Sequence, residues 1–202
     1  MAADLVNVLA IDHAFGRPAP RADPVPALRT IFARDATWPK LHPSDVRGLV
    51  ALATDLRETF VAAPRGHVDV VAQRLNRLLA AHPAYPHLAK DGGVWRLHHH
   101  SADAALVPMT AAICAEALAR IVGAQGAHRL GTCEAPACER AYLDESKNAS
   151  RRYCSTTCQN RVKATAFRRN ATARPAHTAA NRNGELHGEH RACPQGRPRG
   201  SA

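Results

Sequence analysis

Aromatic residues are scarce in this chain, at 4% of its 202 residues. Proteins that read single-stranded RNA by stacking bases on exposed rings need a platform of them, so the composition disfavours that mode of recognition. Long apolar runs are missing too. No 18 consecutive residues are uninterrupted by charge, and no basic-then-apolar leader opens the sequence. Both absences point to a soluble, cytoplasmic protein with no membrane partner. Common catalytic signatures are also missing: there is no H-E-x-x-H, P-loop, G-x-S-x-G or G-x-G-x-x-G. Pairs such as Asp12 and His13 are too common by chance to replace them, so the chain is expected not to be an enzyme.

Carboxylates are absent from one long stretch, Ser146 to Asn183. Residues 1–130 carry 14 Lys/Arg against 11 Asp/Glu, whereas residues 131–202 carry 13 against 6, so most of the net charge of +10 is carboxyl-terminal. A segment of this kind favours a polyanionic partner, because each neutralised phosphate releases counterions. A solvated basic tail accounts for the same composition.

The amino-terminal part carries helical periodicity. "PSDVRGLVALATDLRETFVA" spaces Val46, Leu49, Val50, Ala53, Leu56 and Phe60 along one helix face, and "GHVDVVAQRLNRLLAAHP" does the same with Val68, Val71, Leu75 and Leu78 until Pro83 stops it. "YPHLAKDGGVWRLHHH" predicts a β-hairpin turning at its glycines. His98, His99 and His100 alternate between the faces of that strand, so all three cannot reach one metal. A third helix sets Leu106, Met109, Ile113, Ala117 and Ile121 on one stripe, with Cys114 beside it as a buried structural thiol. The segment after Asn170 has almost no large apolar residue and is expected to be disordered. Cys193 sits there alone, a fortuitous thiol near His187 and His190.

The remaining four cysteines fall in two pairs, C-x4-C and C-x3-C, separated by 15 residues. In a reducing compartment this spacing predicts one tetrahedral Zn²⁺ held by Cys133, Cys138, Cys154 and Cys158. Four thiolates leave no position for an activated water, so the site is expected to be structural. Iron–sulfur ligation by the same thiolates is the competing assignment. Strands around Ala141–Leu143 and Arg151–Tyr153, then a helix capped by Ser155 or Thr156, suggest a treble-clef finger. On that helix Cys158, Val162 and Ala166 share the inner side, with Arg161, Thr165 and Arg168 in an adjacent row and Asn160, Lys163 and Phe167 roughly opposite. Phe167 is expected to pack. Lys147, Arg151, Arg152, Asn160, Arg161, Lys163, Arg168 and Arg169 are the candidate nucleic-acid contacts. Arg161 and Asn160 are the candidates for base edges.

The run "CEAPACERAYLDESKNASRRYCSTTCQNRVKATAFRR" resembles the finger of the CGNR zinc-finger family, whose Cys-Gly-Asn-Arg motif reads Cys158-Gln159-Asn160-Arg161 here. "SKNASRRYCS" is similar to the family's Ser-Arg-Asn-x-Ser-Arg-Arg-Trp-Cys-Ser run, and "DLVNVLAIDHAFG" to its opening around Leu-Val-Asn-Thr. Two departures stand out: Gln159 replaces the glycine, and three residues rather than four separate the last two cysteines.

The residues read as an α+β protein in three parts, of which the resemblance implies the first two and a bacterial type. A mainly helical ABATE-like domain with a small hairpin (1–128) would bind an unknown small-molecule effector. A treble-clef zinc finger (129–170) would bind DNA, and a disordered basic tail (171–202) would follow. The resemblance further implies a nucleoid-associated, stress-responsive transcriptional regulator. An RNA- or ribosome-associated zinc protein is the alternative, and a small-molecule enzyme in residues 1–128 is the least favoured reading.

Overall fold

Leu5 and Val6 are the first residues withdrawn from solvent, on the inner face of helix α1 (Ala2–Leu9). The computed structural model describes residues 1–20, 22–33, 38–101 and 103–173. After α1, two short antiparallel strands, β1 (His13–Ala14) and β2 (Arg17–Pro18), turn through Phe15 and Gly16, both with positive φ. Helices α2 (Val25–Phe32), α3 (Asp45–Ala62) and α4 (Val68–Ala81) follow. The hairpin of β3 (Pro86–Asp91) and β4 (Val94–His99) leads to helix α5 (Leu106–Gly123). Strands β5 (Leu130–Thr132) and β6 (Ala141–Leu143) pair antiparallel, and helix α6 (Thr156–Ala173) is the last described element.

The periodic helices form where the apolar spacing places them, although their buried faces are rotated from the simplest stripe. In α3, Leu49, Ala53, Leu56 and Phe60 are buried together with Leu52, while Val50 is 38% exposed. In α4, Val71, Leu75 and Leu78 are inside and Val68 is not. Helix α5 is long and apolar enough in composition to cross a membrane. Its Leu106, Ala111, Cys114, Ala115 and Leu118 are nevertheless buried in a core that also takes side chains from α3 and α4. Burial pushes the Cys114 thiol up to about 12, as befits a small core residue. Gly92 and Gly93, both with positive φ, make the two-residue turn between β3 and β4.

The apolar core does not end with α5. Leu130 and Ala141, on β5 and β6, belong to the same buried cluster as Leu5, Leu56 and Phe60. Asn7 joins the two ends of the chain: its Nδ2 donates to the Ala141 carbonyl at 2.9 Å, and its Oδ1 accepts from the Ala141 N–H at 2.8 Å. One amide side chain thus occupies the edge of β6 as a third strand would. Residues Met1–Thr165 form one compact unit, so the expected boundary between 128 and 129 falls inside it. Ala166–Ala202 form the other unit, of which residues 166–173 are described as the end of α6. The expected tail beyond residue 173, with Cys193, His187 and His190, lies outside the described residues.

The expected pairing of Ala141–Leu143 with Arg151–Tyr153 is not the one that forms. β6 pairs with β5, and residues 151–153 are not a strand. Side chains take the polar groups a ladder would have used: the Asp144 carboxylate accepts from the Arg151 N–H at 2.6 Å, and the Tyr142 hydroxyl donates to the Arg151 carbonyl at 2.6 Å.

Replacing Asn7 with Ala leaves the N–H and carbonyl of a buried Ala141 without their partner. The expected cost is about 1–3 kcal/mol, read as a lower midpoint in denaturant at an unchanged slope. An equal loss in Asn7→Ala and in a surface control such as Asp69→Ala would contradict the clamp.

Candidate metal centre

Four cysteines arrive at one point from three local structures. Cys133 leaves β5, and Cys138 returns towards β6 after a turn in which Ala137 takes positive φ. The Cys133 N–H donates to the Arg140 carbonyl at 2.9 Å, closing this knuckle. Cys154 precedes α6, and Cys158 lies in its first turn, where the Ser155 hydroxyl accepts from the Cys158 N–H at 3.4 Å. The Glu134 N–H donates to the Arg152 carbonyl at 3.0 Å, drawing the second pair onto the first.

All four sulfurs lie within 4.8 Å of one another. Cys138 Sγ is 3.8 Å from Cys154 Sγ and 3.7 Å from Cys158 Sγ, and Cys154 Sγ is 3.7 Å from Cys158 Sγ. A disulfide needs about 2.05 Å, so no pair is bonded. A tetrahedron of sulfurs each about 2.3 Å from one zinc ion has edges of about 3.8 Å. The four cysteines therefore fit one Zn²⁺. A polynuclear iron–sulfur cluster, with its thiolates on different irons, would hold them farther apart. Cys133, Cys138 and Cys158 are buried and Cys154 half-buried, and four sulfurs complete a tetrahedral shell. Such a site holds the chain together rather than activating water.

Backbone donors surround the sulfurs. Burial opposes ionisation of Cys138, but N–H groups of Arg140 and Phe15, the latter 3.4 Å from Sγ, outweigh it and hold this thiol below its ordinary value. Burial pushes the Cys133 and Cys154 thiols up. These two are protonated at neutral pH without metal, so zinc uptake must release at least their two protons.

Residues 129–171 match the CGNR zinc finger family. No curated protein matches the chain. Within the matched residues the basic side chains have different surroundings. Arg161, placed by the sequence among the candidates for base edges, is half-buried: its Nη2 donates to the Pro136 carbonyl at 2.6 Å and lies 4.0 Å from Cys158 Sγ. A Cβ on Gly16 would meet Arg161 Nη1 at 2.3 Å, so glycine in the β1–β2 turn makes room for this guanidinium. Arg151 is likewise engaged, donating to the carbonyls of Tyr153, Leu143 and Cys154, with its guanidinium 4.9 Å from the centre of the Tyr142 ring. Arg152 is paired with Glu134 at 2.7 Å. Lys147, Asn160, Lys163, Arg168 and Arg169 are exposed, as is Ala166 from the expected inner row. Phe167 is 76% exposed and does not fill the packing role expected of it.

Asp144 is the site residue that spacing did not reveal. Its buried carboxylate accepts from the N–H groups of Ser146 and Arg151, and hydrogen bonding from Ser146 first, then Arg151, holds it below the ordinary Asp range. It fixes the loop that leads through Arg151 to the ligand Cys154.

Elemental analysis of the full chain should give one zinc retained by the four thiolates, and Cys158→Ser should lose it. Zinc affinity should rise by at least about two log units per pH unit between pH 6 and 8, as the raised Cys133 and Cys154 thiols surrender their protons. A pH-independent affinity, or full zinc retention in Cys158→Ser, would contradict the assignment.

Proposed function

We propose that the protein binds duplex DNA through its zinc finger, as a bacterial transcriptional regulator whose residues 1–128 respond to a ligand. The observation that carries this reading is an open groove of about 550 Å³ lined by Ser150, Arg151, Arg152, Tyr153, Ser155, Thr156, Gln159 and Lys163. It is basic on both sides, carries hydroxyls between them, and lies at the amino terminus of an 18-residue helix, whose dipole favours phosphate oxygens. Zinc supports the groove from beneath without chemistry of its own, which fits a treble-clef module and a protein without catalytic activity.

Within that reading the basic residues divide into two roles. Arg151 and Arg161 shape the interface, since their guanidinium groups are occupied by main-chain carbonyls. Lys163, Lys147 and Arg152 contact phosphate, with Arg168 and Arg169 adding charge farther along α6. Asn160 and Gln159 are exposed at the start of that helix and are the polar groups for base edges. Gln159 stands where the family motif has glycine, so its side chain enters the groove in place of bare backbone. The ligand-responsive role of residues 1–128 rests on their resemblance to the ABATE domain.

Binding of duplex DNA should weaken with salt at a slope of about 0.9 per phosphate contacted, and Lys163→Ala should lower the slope by roughly one contact. Glu134→Gln should strengthen binding to all sequences, because it frees Arg152 from its carboxylate partner. Gln159→Gly should change sequence preference at an unchanged salt slope. A preference for structured RNA in direct competition would move the assignment to the ribosome-associated alternative. Binding that survives zinc removal would place it outside the finger.

A further inference from the structure

We propose a second metal site, on the β3–β4 hairpin, that takes one divalent transition-metal ion through His98, His100 and His87. His87 and His98 are directly opposed across the two strands, and His100 follows His98 by two residues, past the end of β4. His99 is 3.5 Å from Glu116 on α5. The His-His-His run therefore supplies two of the ligands, and the facing strand supplies the third.

Hydrogen bonds assign the tautomers. His98 Nε2 donates to the Asp91 carboxylate at 2.9 Å, His100 Nδ1 to the Ser101 carbonyl at 2.7 Å, and His87 Nδ1 to the Tyr85 carbonyl at 3.1 Å. Each ring thus has one nitrogen held by a carboxylate or carbonyl and the other left with a lone pair, which is how metal-binding histidines are oriented. Arg96 lies 4.0 Å from the same Asp91 oxygen and shares its charge. The lone pairs of His98 Nδ1 and His100 Nε2 then face each other at 3.3 Å, an arrangement that needs a positive centre between them.

The spacing favours a metal ion as that centre. Two nitrogens each about 2.05 Å from one tetrahedral ion are about 3.3 Å apart, and imidazole rings radiating from it have centroids roughly 5.2 Å apart. The three ring pairs measure 5.3, 5.5 and 5.5 Å. His87 stacks on His98 at an interplanar angle of 26°, so its ring must turn to aim Nε2 inward. His100 is buried and His98 14% exposed, so the pair is partly desolvated and still reachable. Neutral imidazoles suit zinc, nickel and copper, and three of them leave the fourth position to water or a small anion. If residues 1–128 respond to a ligand, this ion is a candidate for it, but the site itself does not depend on that reading.

The test uses the full chain with zinc in its cysteine site, titrated with Ni²⁺ at pH 7.5 by calorimetry. We expect one equivalent to bind, with His98→Gln and His100→Gln each weakening it at least about 30-fold, Asp91→Asn about 10-fold, and His99→Gln leaving it unchanged. Side-chain imidazole NMR of the unmutated chain gives a second readout: substoichiometric Ni²⁺ should broaden His87, His98 and His100 first. Undiminished affinity in the His98→Gln/His100→Gln double variant, or broadening confined to His177, His187 and His190, would overturn the proposal. So would His98 and His100 signals that respond to pH but not to metal, since the positive centre would then be a proton.

Discussion

Four sulfurs drawn within 4.8 Å of one another carry four negative charges when ionised, and only a cation among them makes that arrangement favourable. Little apolar burial of its own surrounds them. The buried cluster around the site consists of Cys133, Ala135, Cys138 and Cys158, with Tyr153, Cys154 and Val162 packed against it. The cysteines themselves are most of the core, so the metal–thiolate bonds replace the apolar burial that a larger module would use.

That local constraint extends into the helical body. The knuckle between Cys133 and Cys138 fixes the ends of β5 and β6, and those strands present Leu130 and Ala141 to the main core. The same knuckle receives the amino-terminal segment. The Gly16 N–H donates to the Ala137 carbonyl at 2.9 Å, the Glu139 N–H to the His13 carbonyl at 3.0 Å, and the Glu139 carboxylate accepts from the Asp12 N–H at 3.1 Å and from Arg57 at 3.1 Å. The Asp12 N–H first, then Arg57 and His13, hold the Glu139 carboxyl below its ordinary range against its burial. Asn7 supplies the last connection at Ala141. Residues up to 134 positions apart thus meet around the finger.

Local chemistry was legible in the sequence and distant chemistry was not. The metal ligands follow from two short spacings, the end of α4 from Pro83, and the β3–β4 turn from Gly92 and Gly93. Helices α3, α4 and α5 follow from their apolar period, although which of Val50 and Leu52 is buried depends on where α1 and α5 lie, and no single helix carries that information. Helices α1 and α2 are not among those expected. Asn7 reads as one polar residue in an apolar run, because its partner is 134 residues away. Arg161 reads as a free cation until Pro136 and Gly16 come beside it. The strand expected at Arg151–Tyr153 failed for the same reason: Asp144 and Tyr142 compete for its backbone, and side-chain competition of this kind is invisible to a periodicity argument. His87 gave no signal by itself, since only strand register brings it opposite His98.

The claim that one zinc ion secures both the finger and the helical body is most directly tested by amide hydrogen exchange on the full chain, with zinc and after its removal by a chelator. Protection should fall together in residues 133–158, in β5 and β6, and in α1, where Asn7 and Leu5 depend on those strands. Loss confined to residues 133–163, with α1 and β5 protected as before, would show that the metal stabilises the finger alone and that the shared core stands without it.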